Sequence, residues 1–173
     1  MVAPALPHVR FVLPTAGKLP VTINGGMRMP AWYDIVSLDA ERSTQLCDGI
    51  QESQAYIQKL VAQEESAGIP SSRIVLAGFS QGGAMSLFTA LQSKERLAGV
   101  ACLSGYLPAA DHFGGSPVTR IPMAFFHGDA DPVVRLQWAK DSLKAAEALG
   151  VKNTQMKVYA GLDHGASQAE LED

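Results

Sequence analysis

A chain of 173 residues, 47% hydrophobic and 18% charged, has an ordinary globular composition and is long enough for one sizeable core. Its net charge of −3 and its 14 Lys and Arg residues, scattered without runs, offer no basic stretch for phosphates and argue against nucleic acid as a partner. Cys47 and Cys102 are too few for a disulfide framework, no CxxC pair points to zinc, and no uncharged apolar run approaches the ~20 residues of a membrane helix.

Met1 to Pro7 combines Val, Ala and Leu with two prolines and has neither a charged leader nor a small-residue cleavage site, so no signal peptide is expected. The expectation is a cytoplasmic protein with reduced cysteines, whose membrane contacts are peripheral. Short apolar runs bounded by Gly and Pro alternate with segments of helical spacing, the pattern of an α/β fold with a mostly parallel sheet and helices on both faces. Residues 1–173 read as a single domain, without repeats or linkers. The first predicted strand is Val9 to Leu13, stopped by Pro14. A long Gly- and Pro-rich loop follows, carrying Met27, Met29, Trp32 and Tyr33, and its length marks it as functional.

From about Ser43 to Ala67, Leu46, Ile50, Ile57, Leu60 and Val61 fall at helical intervals, and Gly68 and Pro70 end the segment. Arg73 to Ala77 is a continuous apolar strand leading into Gly78-Phe79-Ser80-Gln81-Gly82-Gly83 and then a helix to about Ser93. Further strands are predicted at Ala98 to Leu103, Met123 to His127 and Gln155 to Tyr159. A helix from Leu136 to Leu149 separates the last two, and another begins after His164.

Gly78 to Gly82 fits G-x-S-x-G between a strand and a helix, the context in which that pentapeptide makes a nucleophile turn. The turn is tight, so residues flanking the nucleophile must lack bulk, and the helix that starts there points its amides at the same spot. Ser80 is therefore the candidate nucleophile, and the backbone N–H of Gln81 the candidate donor to an oxyanion. The same pentapeptide also occurs in merely structural turns. Nucleotide binding is a poor alternative, because neither a P-loop Gly-Lys-Ser/Thr nor G-x-G-x-x-G is present.

A serine hydroxyl needs a base to take its proton and an acid to orient that base. Of four histidines, His8 precedes the first strand, His112 lies in a Gly- and Pro-rich loop, and His127 ends a strand where structural support is its expected role. His164, in the loop after the last strand, is the candidate base. Two carboxylates follow the strand ending at His127. Asp131 is favoured as the acid because Pro132 holds the chain after it and Val133 and Val134 anchor the loop, while Asp129 is the runner-up. Asp163 reads as a loop residue. The order Ser80, Asp131, His164 is that of α/β-hydrolases. Such chemistry needs no metal or cofactor.

With Gly78 to Ala84, His127 to Val134, and Met29-Pro30-Ala31-Trp32-Tyr33-Asp34 in one chain, the sequence resembles the acyl-protein thioesterase family, which overlaps small carboxylesterases and lysophospholipases. The resemblance implies an α/β-hydrolase fold with Ser80, Asp131 and His164 as the triad and Gln81 in the oxyanion hole. It implies an acyl site bordered by Leu103 to Pro108, so that Trp32, Tyr106 and Leu107 would contact substrate. Palmitoyl-type thioesters on proteins, lysophospholipids and small acyl esters are the implied substrates. Family members also carry an earlier strand ending in a His-Gly-Leu-Gly-Asp-like loop that gives a second oxyanion donor, and no such segment is found here. The expectation is a member shortened at both ends, with weakened activity and a sheet that closes a gap or associates as a homodimer through exposed edges. The contrasting expectation is a relative that keeps an acyl-binding groove without turnover.

Overall fold

The computed structural model describes residues 6–38, 47–110, 113 and 120–173. Its centre is a parallel sheet of four strands: β3 (Val75–Phe79), β4 (Gly99–Leu103), β5 (Met123–Gly128) and β6 (Thr154–Tyr159), hydrogen-bonded in that order. The register runs Phe79 opposite Leu103, Leu103 opposite Phe126, and Gly128 opposite Tyr159. All four strands therefore end at one edge of the sheet, and the loops that leave them share that edge.

Among the described residues three longer helices flank the sheet: α1 (Ile50–Ser66) leads into β3, α2 (Gln81–Leu91) joins β3 to β4, and α3 (Leu136–Ala148) joins β5 to β6. Side chains alternate along a strand. On one face Val100, Cys102, Met123 and Phe125 are buried and pack with Leu87 and Leu91 of α2 and Ala146 of α3. Val61 of α1 joins the same cluster. A second cluster lies outside α2, where Ala84, Met85 and Phe88 meet Tyr33, Ile50, Tyr106 and Val134. The opposite sheet face is more open: Ala101, Leu103, Ala124 and Phe126 are half-buried, and Val75 and Phe79 are exposed. A short α4 (Gln168–Glu172) ends against that face, its neighbour Asp173 accepting from Lys157 and from the Tyr159 hydroxyl at 2.9 Å. No described helix is long and apolar enough to cross a membrane.

The predicted first strand is not one. Residues 9–13 have no ladder partner, and Val9, Phe11, Val12 and Leu13 are exposed. An apolar run becomes a strand only where another strand accepts its backbone hydrogen bonds, and β3 has β4 as its one neighbour among the described residues. The predicted loop instead contains a hairpin of β1 (Lys18–Val21) and β2 (Met27–Pro30), with Lys18 opposite Pro30 and Val21 opposite Met27. The first helix also starts later than its periodicity suggested. Gly49 has φ of 86°, a left-handed conformation that no helix can run through, so the described helix begins at Ile50. Residues 43–46 of that predicted helix lie outside the described residues, as does His112.

Candidate active site

Ser80 sits between the last residue of β3 and the first of α2, with φ of 52° and ψ of −118°. Positive φ is strained for a residue with a Cβ, and the surroundings impose it. The Ser80 N–H still donates to Leu103 O at 2.8 Å, continuing the β3–β4 ladder, while Ser80 O already accepts from Ala84 N at 3.0 Å, opening the helix. One residue must turn the chain from sheet to helix. That turn closes only over glycines: a Cβ on Gly78 would land on the Gly82 carbonyl, and one on Gly83 would lie 2.8 Å from Gly78 O and 2.9 Å from Cys102 Sγ. The buried Cys102 thiol has its pKa pushed up to about 12 by burial, so it stays protonated and fills space beneath the turn.

His164 lies in the loop after β6, and its Nε2 is 3.0 Å from Ser80 Oγ. Its Nδ1 is 2.7 Å from Asp131 Oδ2. A carboxylate only accepts, so Nδ1 carries the proton and Nε2 presents its lone pair to the serine hydroxyl. The exposed Phe79 ring packs on the imidazole, with centroids 4.8 Å apart.

Asp131 is held as tightly as His164. Asp131 Oδ1 accepts from the backbone N–H groups of Val133 and Val134, each at 2.8 Å, so the loop folds around the carboxylate. Buried His127 donates from Nε2 to Val134 O at 2.7 Å and stands 3.5 Å from Asp131 Oδ2. Burial holds the His127 pKa below the ordinary imidazole value, so the ring is neutral and the loop is braced by a hydrogen bond rather than a second charge.

Asp129, the runner-up acid, faces elsewhere. Its Oδ1 accepts from Gly161 N at 2.6 Å and its own N–H donates to Tyr159 O at 3.1 Å, tying the exit of β5 to the loop that carries His164. Ala130 N adds a bond to Leu162 O at 3.1 Å. Asp163 contributes its carbonyl to Gly165 N at 2.9 Å.

Gln81 is the first residue of α2, where a backbone N–H has no intrahelical acceptor. Its side chain reaches across to the loop after β2: Oε1 accepts from Trp32 N at 2.9 Å and Nε2 donates to Tyr33 O at 2.8 Å. Trp32 stacks on Tyr56 at 6.3 Å beside a cavity of about 470 Å³ that Thr15, Leu19, Ala31 and Ser53 also line. Tyr106 and Leu107 are buried among core residues, where the Tyr106 hydroxyl meets that of Tyr33 at 2.9 Å and Leu107 N donates to Ser142 Oγ at 2.7 Å.

Asp131, His164 and Ser80 thus stand in one hydrogen-bonded line at the edge where the strands of a parallel sheet end, with a helix N-terminus behind the serine. A fold and site of this kind define an α/β-hydrolase. The chain belongs to the phospholipase/carboxylesterase family, whose model matches residues 1–173, and it is a hydrolase of acyl esters. Acyl-protein thioesterase 1 of Yarrowia lipolytica is 40% identical over 175 residues, covering 99% of this chain and 77% of the relative. Acyl-protein thioesterase 1 homolog 2 of Dictyostelium discoideum is 38% identical over 168 residues, covering 96% and 75%. Among solved structures, Arabidopsis thaliana SOBER1 superposes with a TM-score of 0.88 at 28% identity over 97% of this chain and 81% of that one. Zea mays acyl-protein thioesterase 2 gives 0.78 at 27% identity, covering 92% and 75%.

Proposed function

We propose that the chain cleaves acyl thioesters on proteins, together with lysophospholipids and small acyl esters, through a Ser80 acyl-enzyme. The observation that carries the reading is the line from Asp131 Oδ2 to His164 Nδ1 at 2.7 Å and from His164 Nε2 to Ser80 Oγ at 3.0 Å. The relatives named acyl-protein thioesterases, at about 40% identity, support the substrate class.

His164 takes the proton of Ser80 as Oγ attacks the acyl carbonyl, and the developing imidazolium is stabilised by the Asp131 carboxylate. The tetrahedral oxyanion accepts from the Gln81 backbone N–H, at the positive end of the α2 dipole. His164 then protonates the departing thiolate or alkoxide. Water, activated by the same imidazole, clears the acyl-enzyme. Trp32, Tyr106 and Leu107 belong to the segments that would contact the acyl chain. Each buried methylene contributes roughly 0.8 kcal/mol, so rates on a p-nitrophenyl ester series should rise with chain length. The chain works in the cytoplasm, touches membranes peripherally, and pairs as a homodimer through the outer edge of β3, which has no ladder partner among the described residues.

The test is labelling by a fluorophosphonate probe together with hydrolysis of a palmitoyl thioester peptide. Both should occur in the wild type and be lost in Ser80→Ala. Turnover that survives in Ser80→Ala would remove Ser80 from the mechanism, and an unlabelled wild type would leave an acyl-binding protein.

A further inference from the structure

The peptide joining Ser80 to Gln81 carries the N–H that faces the oxyanion, and its orientation decides whether that N–H is aimed at the reacting carbonyl. From one side the peptide is fixed by its own oxygen: Ser80 O accepts from Ala84 N at 3.0 Å. From the other it hangs on the Gln81 Cα, at the first position of a helix, where backbone is least constrained. The Gln81 carboxamide makes two bonds there, one as acceptor from Trp32 N and one as donor to Tyr33 O. That is how one backbone peptide would pair with another, and a side chain held at both ends has no rotamer freedom left.

The segment it grips is itself anchored. Ala31 N donates to Gly17 O at 3.0 Å, Asp34 N to Asp48 O at 2.8 Å, and Ser53 Oγ to Trp32 O. The Tyr33 hydroxyl meets the buried Tyr106 hydroxyl at 2.9 Å.

We propose that the Gln81 side chain is a positioning residue: by clamping its own backbone to the Trp32–Tyr33 segment, it holds the oxyanion N–H in place for the transition state. The inference rests on the Ser80 acyl-enzyme reading. Removal of a whole oxyanion donor lowers turnover on the order of 10²–10³-fold, and a donor left in place but loosened should lose a fraction of that.

Gln81→Glu keeps length and shape. When ionised, the new carboxyl accepts from Trp32 N but turns a second oxygen toward Tyr33 O and breaks the clamp. When protonated, it donates to Tyr33 O again. Gln81→Met fills the space with neither bond. On a short p-nitrophenyl ester at neutral pH, both variants should lower kcat about tenfold with KM held within about twofold, because the interaction is made in the transition state. Affinity for a trifluoromethyl ketone, which forms a tetrahedral adduct on the serine, should fall in step with kcat. As pH is lowered through the range of a carboxyl, the ratio of Gln81→Glu to wild-type kcat should climb toward one, while the Gln81→Met ratio stays flat. A merely structural contact would not give that rescue.

Both variants turning over at the wild-type rate would overturn the clamp, as would a loss confined to KM or ratios that follow the same pH course in the two variants. A wild type that neither labels with fluorophosphonate nor hydrolyses ester would sink the acyl-enzyme reading instead. Far-UV circular dichroism and ketone affinity, measured on the same preparations, separate a loosened oxyanion amide from a chain that failed to fold.

Discussion

Asp131 has both carboxylate oxygens occupied, Oδ1 by two backbone N–H groups and Oδ2 by His164, so its charge is oriented before any substrate arrives. Asp131→Asn should therefore lower turnover by about 10⁴-fold through loss of the correct imidazole tautomer, and His164→Ala by a comparable factor. Melting temperatures should move far less, and a comparison of kcat with thermal unfolding on the same samples checks both. His127 behaves differently, because its ring is buried and neutral. With its folded pKa below the ordinary 6.5, it contributes stability that is complete above that value. That stability is lost as pH falls through it, since the unfolded chain binds the proton and the native chain does not. His127→Gln keeps an N–H for Val134 O and removes the titration. Its melting temperature should depend less on pH than the wild type's below about pH 6.5, as a calorimetric pH series would reveal. A wild type and variant that lose stability in parallel would assign the acid sensitivity elsewhere.

At the scale of elements, two loops from neighbouring strands are pressed together to bring Asp131 and His164 into line. The exit of β5 carries Asp131, the exit of β6 carries His164, and Gly128 opposite Tyr159 is where they first touch. A Cβ on Gly128 would strike the backbone carbonyl of Leu162, which has no flexible end to move aside. Gly128→Ala should push the His164 loop away from Ser80. A displacement near 1 Å costs on the order of 10² in rate, so kcat should fall about that far along with the melting temperature. Fluorophosphonate labelling at the wild-type rate would show that the loops had absorbed the methyl group.

For the whole molecule, the open side of β3 is the feature with the largest physical consequence. Val75 is 55% and Phe79 40% exposed, and the outer N–H and C=O groups of the strand have no ladder partner among the described residues. An edge of that kind is a template for another strand. Two copies related by a two-fold axis would pair β3 antiparallel with itself. The 173-residue chain should sediment as a dimer at micromolar concentration, and Val75→Lys, which places a charge on the edge, should shift it toward monomer. A wild type that stays monomeric throughout a dilution series would remove edge pairing.

The parts of this protein that the sequence determined by itself are those dictated by local geometry. G-x-S-x-G between an apolar strand and a helix leaves one conformation for Ser80, and the Asp and His follow in strand-exit loops, so β3 to β6, α2, α3 and all three residues of the line were readable. What only the tertiary structure decided depended on partners distant in the chain. Val9 to Leu13 has the apolar pattern of a strand and no ladder to join among the described residues, whereas Lys18–Val21 and Met27–Pro30, each with a proline and with Gly25 and Gly26 between them, find each other. The Gln81 clamp spans 49 residues to Trp32, and Asp129 spans 32 to Gly161. Hydrogen bonds of that reach leave no period or spacing in the sequence, because each joins one side chain to a backbone group that every residue type carries.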